Sequence, residues 1–105
     1  MYNDLRNEAE QYILNKADVI CATCIASGDY RLKDFTFNHV LIDEATQAIE
    51  PAGLLPMLKS ARHVILVGDH IQLGPVVLSK QASKAGLNKC LFERLVKIGH
   101  KPIML

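Results

Sequence analysis

Residues 39–47 read HVLIDEATQ, an apolar run that ends on two adjacent acids, Asp43 and Glu44. Aliphatic and β-branched residues in such a short run fit a strand that is buried on both faces of a sheet. The two carboxylates then stand where the strand leaves the sheet. In open parallel sheets this is the edge at which ligands bind. The run therefore predicts a buried strand with a polar site at its carboxyl end.

A second apolar run, HVILV at 63–67, is followed by the polar stretch GDHIQL at 68–73. The segment between the two runs is long enough for a crossover through a helix, which predicts parallel strands in an α/β fold with flanking helices. Both strands would then end in acids at the same edge of the sheet. The expected elements are helices over 3–16, 48–60 and 79–98 (with a break near Gly86 and an end at Gly99), strands over 18–24, 39–43 and 62–67, a turn at 27–30, a loop over 68–75 and a further strand from 102 to 105.

The composition of the 105 residues is that of a folded domain or part of one, because 50% are hydrophobic and 22% are charged. No apolar run is long enough for a membrane helix, and the polar start does not resemble a secretory signal, so we expect no membrane partner. Three cysteines without a framework spacing indicate a reducing compartment, and we expect a cytoplasmic location, with the nucleus as an additional one. We interpret Cys21 and Cys24 as buried or half-buried thiols rather than as metal ligands.

The two acids at the end of the first apolar run are suited to act on a metal-bound phosphate and on its attacking nucleophile. Neighbouring residues of a strand point to opposite sides, so Asp43 can face a metal-bound phosphate while Glu44 approaches the nucleophile from another angle. Mg²⁺ prefers oxygen ligands and retains several waters, so one carboxylate is sufficient. In the second loop, the amide of Gln72 both donates and accepts hydrogen bonds, and Gly68 permits a tight exit from the strand. The alternative to a chemical role is that the two strands simply end in solvated polar residues.

The motifs resemble those of superfamily 1 helicases. The strand with its two acids is similar to the Walker B element of nucleotide hydrolases. DEATQ at 43–47 resembles helicase motif II, and GDHIQLGPVV at 68–77 resembles motif III. ADVICATC at 17–24, and the stretch from KAGL at 84–87 to LFERL at 91–95, are similar to the flanking regions in the up-frameshift RNA helicases. The resemblance extends over about residues 17–105, and it implies a partial RecA-like parallel sheet.

The resemblance also implies an ATP-dependent RNA or DNA helicase that acts in nonsense-mediated mRNA decay, with single-stranded nucleic acid and other decay factors as partners and with ATP and Mg²⁺ as cofactors. By matching position, Asp43 would be the Mg²⁺ ligand and Glu44 the general base. Gln72 would sense the γ-phosphate. The remaining positions carried over are Gln47 and Asp69 in support of the nucleotide site, and Thr23, Pro75 and Val76 on the nucleic-acid side, with loop packing as the preferred role of the last two.

The chain departs from the helicase pattern because it contains no Gly-x-x-Gly-x-Gly-Lys-Thr phosphate loop. We expect residues 1–105 to be the central and C-terminal segment of a first RecA-like domain that lacks the phosphate-loop strand. The strand over 62–67 would then have an unpaired edge, which favours a homo-oligomer. We expect no ATP hydrolysis by the isolated chain. The alternatives are a non-catalytic, oligomerising α/β module or a segment of another P-loop ATPase, while a two-carboxylate nuclease has no support in the spacing of the acids.

Overall fold

A computed structural model describes residues 1–69 and 71–104 and shows an α/β arrangement of two parallel strands with helices. His70, in the expected second loop, and Leu105, in the expected last strand, lie outside the described residues. The helices and strands are α1 (Tyr2–Lys16), β1 (His39–Ile42), α2 (Glu50–Leu54), β2 (His63–Leu66), α3 (Lys80–Lys84) and α4 (Leu91–Lys97), with 3-10 turns at Ala26–Gly28, Tyr30–Leu32 and Leu55–Leu58.

β1 and β2 pair in parallel and in register, from His39 opposite His63 to Ile42 opposite Leu66. The connection between them passes through α2 and the 3-10 turn that follows it. This confirms the two strands, the crossover and the α/β class that the sequence predicts. It also brings residues 43–47 and the described residues of the second polar stretch, 68–69 and 71–73, to the same edge of the sheet.

The helix expected over 48–60 is shorter than predicted. Pro51 lies in the first turn of α2, where its missing N–H is not needed. Pro56 then stands where a longer helix would require an N–H donor, and the chain continues as a 3-10 turn over Leu55–Leu58. The sequence thus predicted the position of this helix but overestimated its length.

The region 79–98 is broken, as the sequence predicts. The hydroxyl of Ser79 accepts a hydrogen bond from the backbone N–H of Ala82 at 3.2 Å and caps α3. The chain then turns through Gly86, whose φ of +99° is in the region that favours glycine. Gly99, with φ of +107°, follows the end of α4.

The strand expected over 18–24 is wrong for this structure. These residues form no ladder, and they border a cavity of about 760 Å³ together with β1. Within the described residues, no backbone hydrogen bond joins residues 18–22 to β1, and a strand requires such bonds. Residues 102–104 also form no strand.

Burial of both faces of the strands was also predicted, and it is wrong. On one face, Val64 and Leu66 line an apolar cavity with residues of α4 and of the α2 region. On the other face, Leu41 remains 64% exposed and Ile65 45% exposed. A strand buries both faces only when elements pack on each side, and the described residues place no helix over Leu41 and Ile65.

The chain exposes more surface than a closed domain of its mass. Its accessible surface is 8407 Å², whereas a compact monomer of 11.7 kDa has about 5900 Å². Its radius of gyration of 16.3 Å likewise exceeds the roughly 13 Å of a compact chain of this length.

The exposure of the cysteines differs in part from the prediction. Cys24 is intermediate, as expected, and Cys90 is buried, but Cys21 is exposed, contrary to expectation. Within the described part of the chain, no helix is long and apolar enough to cross a membrane.

Candidate functional site

The two polar stretches are joined by backbone contacts at the carboxyl ends of the strands. The N–H of Ala45 donates to the carbonyl oxygen of Val67 at 2.8 Å, and the N–H of Val67 donates to that of Ile42 at 2.9 Å. Directly beyond these bonds, Thr46 is 3% exposed and packs against Gly68. A Cβ on Gly68 would lie 3.1 Å from Thr46 Cγ2 and Oγ1 and 3.2 Å from its backbone nitrogen. Only glycine therefore allows this close approach without a shift of the neighbouring loop.

The first loop arranges its acids by short-range hydrogen bonds. The backbone N–H of Glu44 donates to Asp43 Oδ1 at 3.0 Å, and the side-chain amide of Gln47 donates to Glu44 Oε2 at 3.1 Å. Glu44 has a φ of +51°, which is unusual for a residue other than glycine. Such a backbone costs on the order of 1 kcal/mol or more and is found preferentially at functional sites. Asp43, Glu44 and Gln47 are all exposed, so their polar atoms are accessible to a ligand.

The second loop arranges Gln72 around Asp69. Asp69 Oδ1 accepts the backbone N–H of Ile71 at 2.9 Å, and Asp69 Oδ2 accepts the side-chain amide of Gln72 at 3.1 Å. The carboxylate thereby orients the side-chain amide of Gln72 and leaves its side-chain oxygen, Oε1, available as an acceptor. The structure thus brings Asp69 and Gln72 together, on a loop that is held against the first loop through Gly68.

The donor set at this edge is suited to Mg²⁺ in one specific manner. Among the described residues, no three His, Cys, Asp or Glu side chains form a group that could hold a metal ion by themselves. Mg²⁺ is commonly bound by one or two carboxylates together with phosphate oxygens and water. The exposed carboxylate of Asp43 fits that pattern, and Glu44 is adjacent to it. The residues of this chain therefore fit a metal ligand and a water-binding group, but they include no phosphate loop that would bind the nucleotide itself.

The three residues expected on the nucleic-acid side have different environments. Thr23 lines the 760 Å³ cavity together with Asp43, and its hydroxyl accepts the backbone N–H of Ala26 at 3.2 Å. Pro75 is buried, whereas Val76 is 86% exposed. Thr23 shares the cavity at the edge of β1, and within the described residues no hydrogen bond or ion pair joins it to Pro75 or Val76.

The sequence indicates a role for Gly68, but it does not indicate that Thr46 packs against it. Gly68 was expected to permit a tight turn, but its φ is not positive, and it is the close approach to Thr46 that excludes a side chain. Thr46 is polar and follows the two exposed acids after one alanine, so nothing local in the sequence indicates that it is buried. Only the pairing of β1 with β2 reveals the contact.

Ion pairs at other positions stabilise the surrounding structure. Arg94 of α4 binds Glu50 of α2 through two nitrogens, with its Nε 2.9 Å from Oε1, and the carboxylate raises the pKa of Arg94. Arg31 hydrogen-bonds Asp29 and lowers the pKa of that carboxyl. Lys97 lowers the pKa of Glu93 in the same way, through a 2.6 Å hydrogen bond. The Glu50–Arg94 pair links α2 to α4, and residues of both helices line the apolar cavity with Val64 and Leu66.

Comparisons with known proteins agree with the motifs. A family model described as "AAA domain" matches residues 1–80. Regulator of nonsense transcripts 1 of Dictyostelium discoideum is 58% identical over 101 residues, which are 96% of this chain and 8% of that protein. ATP-dependent helicase NAM7 of Saccharomyces cerevisiae is also 58% identical over 101 residues, 96% of this chain and 10% of that protein. A regulator of nonsense transcripts 1 homolog of Arabidopsis thaliana is 53% identical over 104 residues, 99% of this chain and 8% of that protein. The chain thus spans a tenth or less of the length of these relatives, and the resemblance seen in the motifs is confirmed.

Proposed function

Because this chain belongs to the AAA domain family and is similar to regulators of nonsense transcripts over nearly its whole length, we propose that it forms part of an ATP-dependent helicase of nonsense-mediated mRNA decay. In this proposal residues 1–105 are the central and C-terminal segment of a first RecA-like domain. The segment contributes the metal ligand, the general base and the γ-phosphate sensor to an ATP hydrolysis site. Its nucleic-acid partner is single-stranded RNA or DNA.

The observation that carries the proposal is the attachment of the two polar loops at one sheet edge. The Ala45–Val67 hydrogen bond and the Thr46–Gly68 contact join the loop that carries Asp43 and Glu44 to the loop that carries Asp69 and Gln72. Hydrolysis of a phosphoanhydride is accelerated chiefly by positioning and by electrostatic stabilisation, so a rigid junction between acid and amide loops suits it.

We assign the roles as follows. Asp43 binds Mg²⁺, which would neutralise charge on the phosphates when bound. Glu44 orients water and accepts its proton, and Gln47 keeps the Glu44 side chain in place through their 3.1 Å hydrogen bond. Gln72 senses the γ-phosphate through its side-chain amide, which Asp69 orients by accepting a hydrogen bond from it. Thr23 and the exposed Val76 belong to the side that faces nucleic acid, and the buried Pro75 packs the loop that carries Val76.

The large exposed surface supports the view that further polypeptide completes the site. About 2500 Å² of surface beyond that of a compact monomer remains uncovered, and it includes Leu41 and Ile65 on the open face of the sheet. The edge of β2 that faces away from β1 is unpaired within the described residues. A strand that carries a phosphate loop would pair there and bring the nucleotide to the acids. In the isolated chain, we propose that a second copy pairs at the same edge.

A segment exchange tests the function. The residues of this chain replace the matching 101 residues of the yeast ATP-dependent helicase, to which they are 58% identical. We expect the exchanged helicase to hydrolyse ATP. Glu44→Gln should lower its turnover by about 10²-fold or more, because general base catalysis typically contributes that much. Asp34→Asn serves as the matched control, since Asp34 is exposed and lies outside both loops.

Two outcomes decide the result. If the exchanged protein is folded and binds nucleotide but hydrolyses ATP equally well with Glu44 or Gln at this position, the assignment of the general base is wrong. If it is folded but inactive with every residue intact, the proposed function of the segment is wrong.

The second candidate is a non-catalytic, oligomerising α/β module. It is favoured by one observation, namely that the acids of both loops already make hydrogen bonds within their own loops. Titration of the isolated chain with Mg²⁺ and ATP, followed by NMR, distinguishes the two. A helicase segment should show Mg²⁺-dependent shifts around Asp43 that Asp43→Asn removes, whereas the module should show none.

A further inference from the structure

Two histidines stand opposite each other at the amino ends of the strands. His39 begins β1, His63 begins β2, and the parallel register makes them direct neighbours. Their ring centroids are 5.7 Å apart, and the ring planes are inclined at 57°. Both residues are exposed, and they lie at the edge of the sheet opposite to the loops with Asp43 and Gln72. The proposed ATP site therefore does not use them.

The separation of the rings agrees with that of two imidazoles bound to one metal ion. A Zn–N bond of about 2.1 Å places the metal about 3.2 Å from each ring centroid. Two rings that share a metal at angles between tetrahedral and trigonal then have centroids about 5.2 to 5.5 Å apart. The observed 5.7 Å differs from this by a few tenths of an ångström, which small side-chain rotations supply.

The surroundings define the kind of metal. Imidazole nitrogens prefer borderline metals such as Zn²⁺, Cu²⁺ and Ni²⁺ over Mg²⁺ and Ca²⁺, which prefer oxygen. Within the described residues, no third His, Cys, Asp or Glu completes a group of three with the pair, so water fills the remaining positions. Lys59 lines the same cavity as His39, but its ammonium group donates to the carbonyl oxygen of Leu32 at 2.7 Å.

We propose that His39 and His63 form a chelating site for a divalent transition metal of the zinc class, with two ligands from the chain and the others from water. The two strand backbones hold the imidazoles in position, so binding needs little reorganisation. Binding would link the amino ends of β1 and β2 and stabilise their pairing.

The test is calorimetric titration of the 105-residue chain with zinc chloride, with thermal unfolding in the presence and absence of Zn²⁺. We expect one Zn²⁺ per chain and a rise in the unfolding temperature, since a ligand that binds only the folded state stabilises it. His39→Gln and His63→Gln should each weaken binding at least about tenfold, because either change ends the chelate. His100→Gln should have no effect, and magnesium chloride should not replace zinc.

Cysteine is the competing ligand, and two further measurements separate it from histidine. The double variant Cys21→Ser with Cys24→Ser should bind Zn²⁺ as the unchanged chain does. Co²⁺ bound to the unchanged chain should show no thiolate charge-transfer band, a readout that needs no variant. Loss of binding in the cysteine variant, a thiolate band with Co²⁺, or unchanged affinity in both histidine variants would overturn the proposal.

Discussion

Replacement of Gly68 by alanine should destabilise the protein through one defined contact. The new Cβ would lie 3.1 Å from two side-chain atoms of Thr46 and 3.2 Å from its backbone nitrogen. The side-chain separations are about 0.4 to 0.9 Å shorter than the best distance between non-bonded heavy atoms. Thr46 cannot retreat easily, because it is 3% exposed and the preceding N–H, that of Ala45, is bonded to Val67. Overpacking at such a position typically costs about 1 to 3 kcal/mol.

Urea unfolding monitored by circular dichroism measures this cost. With a slope of about 1 kcal/mol per molar urea, the midpoint for Gly68→Ala should fall by about 1 M or more without a change in slope. Gly53→Ala is the matched control, since its Cβ would meet nothing within 4 Å and α2 would gain about 0.5 to 1 kcal/mol from loss of a helical glycine. The two glycine-to-alanine changes thus have opposite signs.

A double-variant comparison shows whether Thr46 is the cause. Thr46→Ala removes both side-chain atoms at 3.1 Å, so Gly68→Ala should cost clearly less in that background than in the unchanged chain. The reasoning is refuted if Gly68→Ala is as stable as the unchanged protein, or if its cost is the same with and without the threonine side chain.

Four further predictions concern other parts of the chain. Ser60 has a φ of +65°, so Ser60→Gly should raise stability by about 0.5 to 1 kcal/mol in the same urea assay whereas Ser60→Ala should not; a loss with glycine would contradict the backbone argument. Arg31 lowers the pKa of Asp29 below its ordinary value of 3.8, so the ion pair contributes stability above that value and loses it as the pH falls through the lowered pKa; Asp29→Asn should remove this acid-dependent step from a pH series of unfolding curves. The isolated chain should show no ATP turnover in a clean preparation, and turnover that Glu44→Gln abolishes would prove this wrong. Light scattering at micromolar concentration should give the mass of a dimer or larger oligomer, and a monomeric mass would exclude pairing at the β2 edge.

Much of the fold is predictable because its determinants are local. The apolar runs at 39–42 and 63–66 form the two strands, and the breaks at Gly86 and Gly99 come from residues that tolerate positive φ. The segment over 18–24 has a similar composition and forms no strand. A strand exists only when a neighbour accepts its hydrogen bonds, and this neighbour is not specified by the segment itself.

The candidate site likewise has features that the sequence predicts and features that depend on the tertiary structure. The sequence alone predicts which residues would carry the proposed chemistry, because an apolar run that ends in Asp43 and Glu44, followed one crossover later by a loop with Gln72, is visible without any coordinates. The tertiary structure decided how the two loops are held together. The contact of Thr46 with Gly68, the left-handed backbone of Glu44 and the open face with Leu41 depend on which segments meet after the strands pair. Residue types and spacing are encoded locally, whereas a close approach or an uncovered face results from packing between segments that are far apart in the chain.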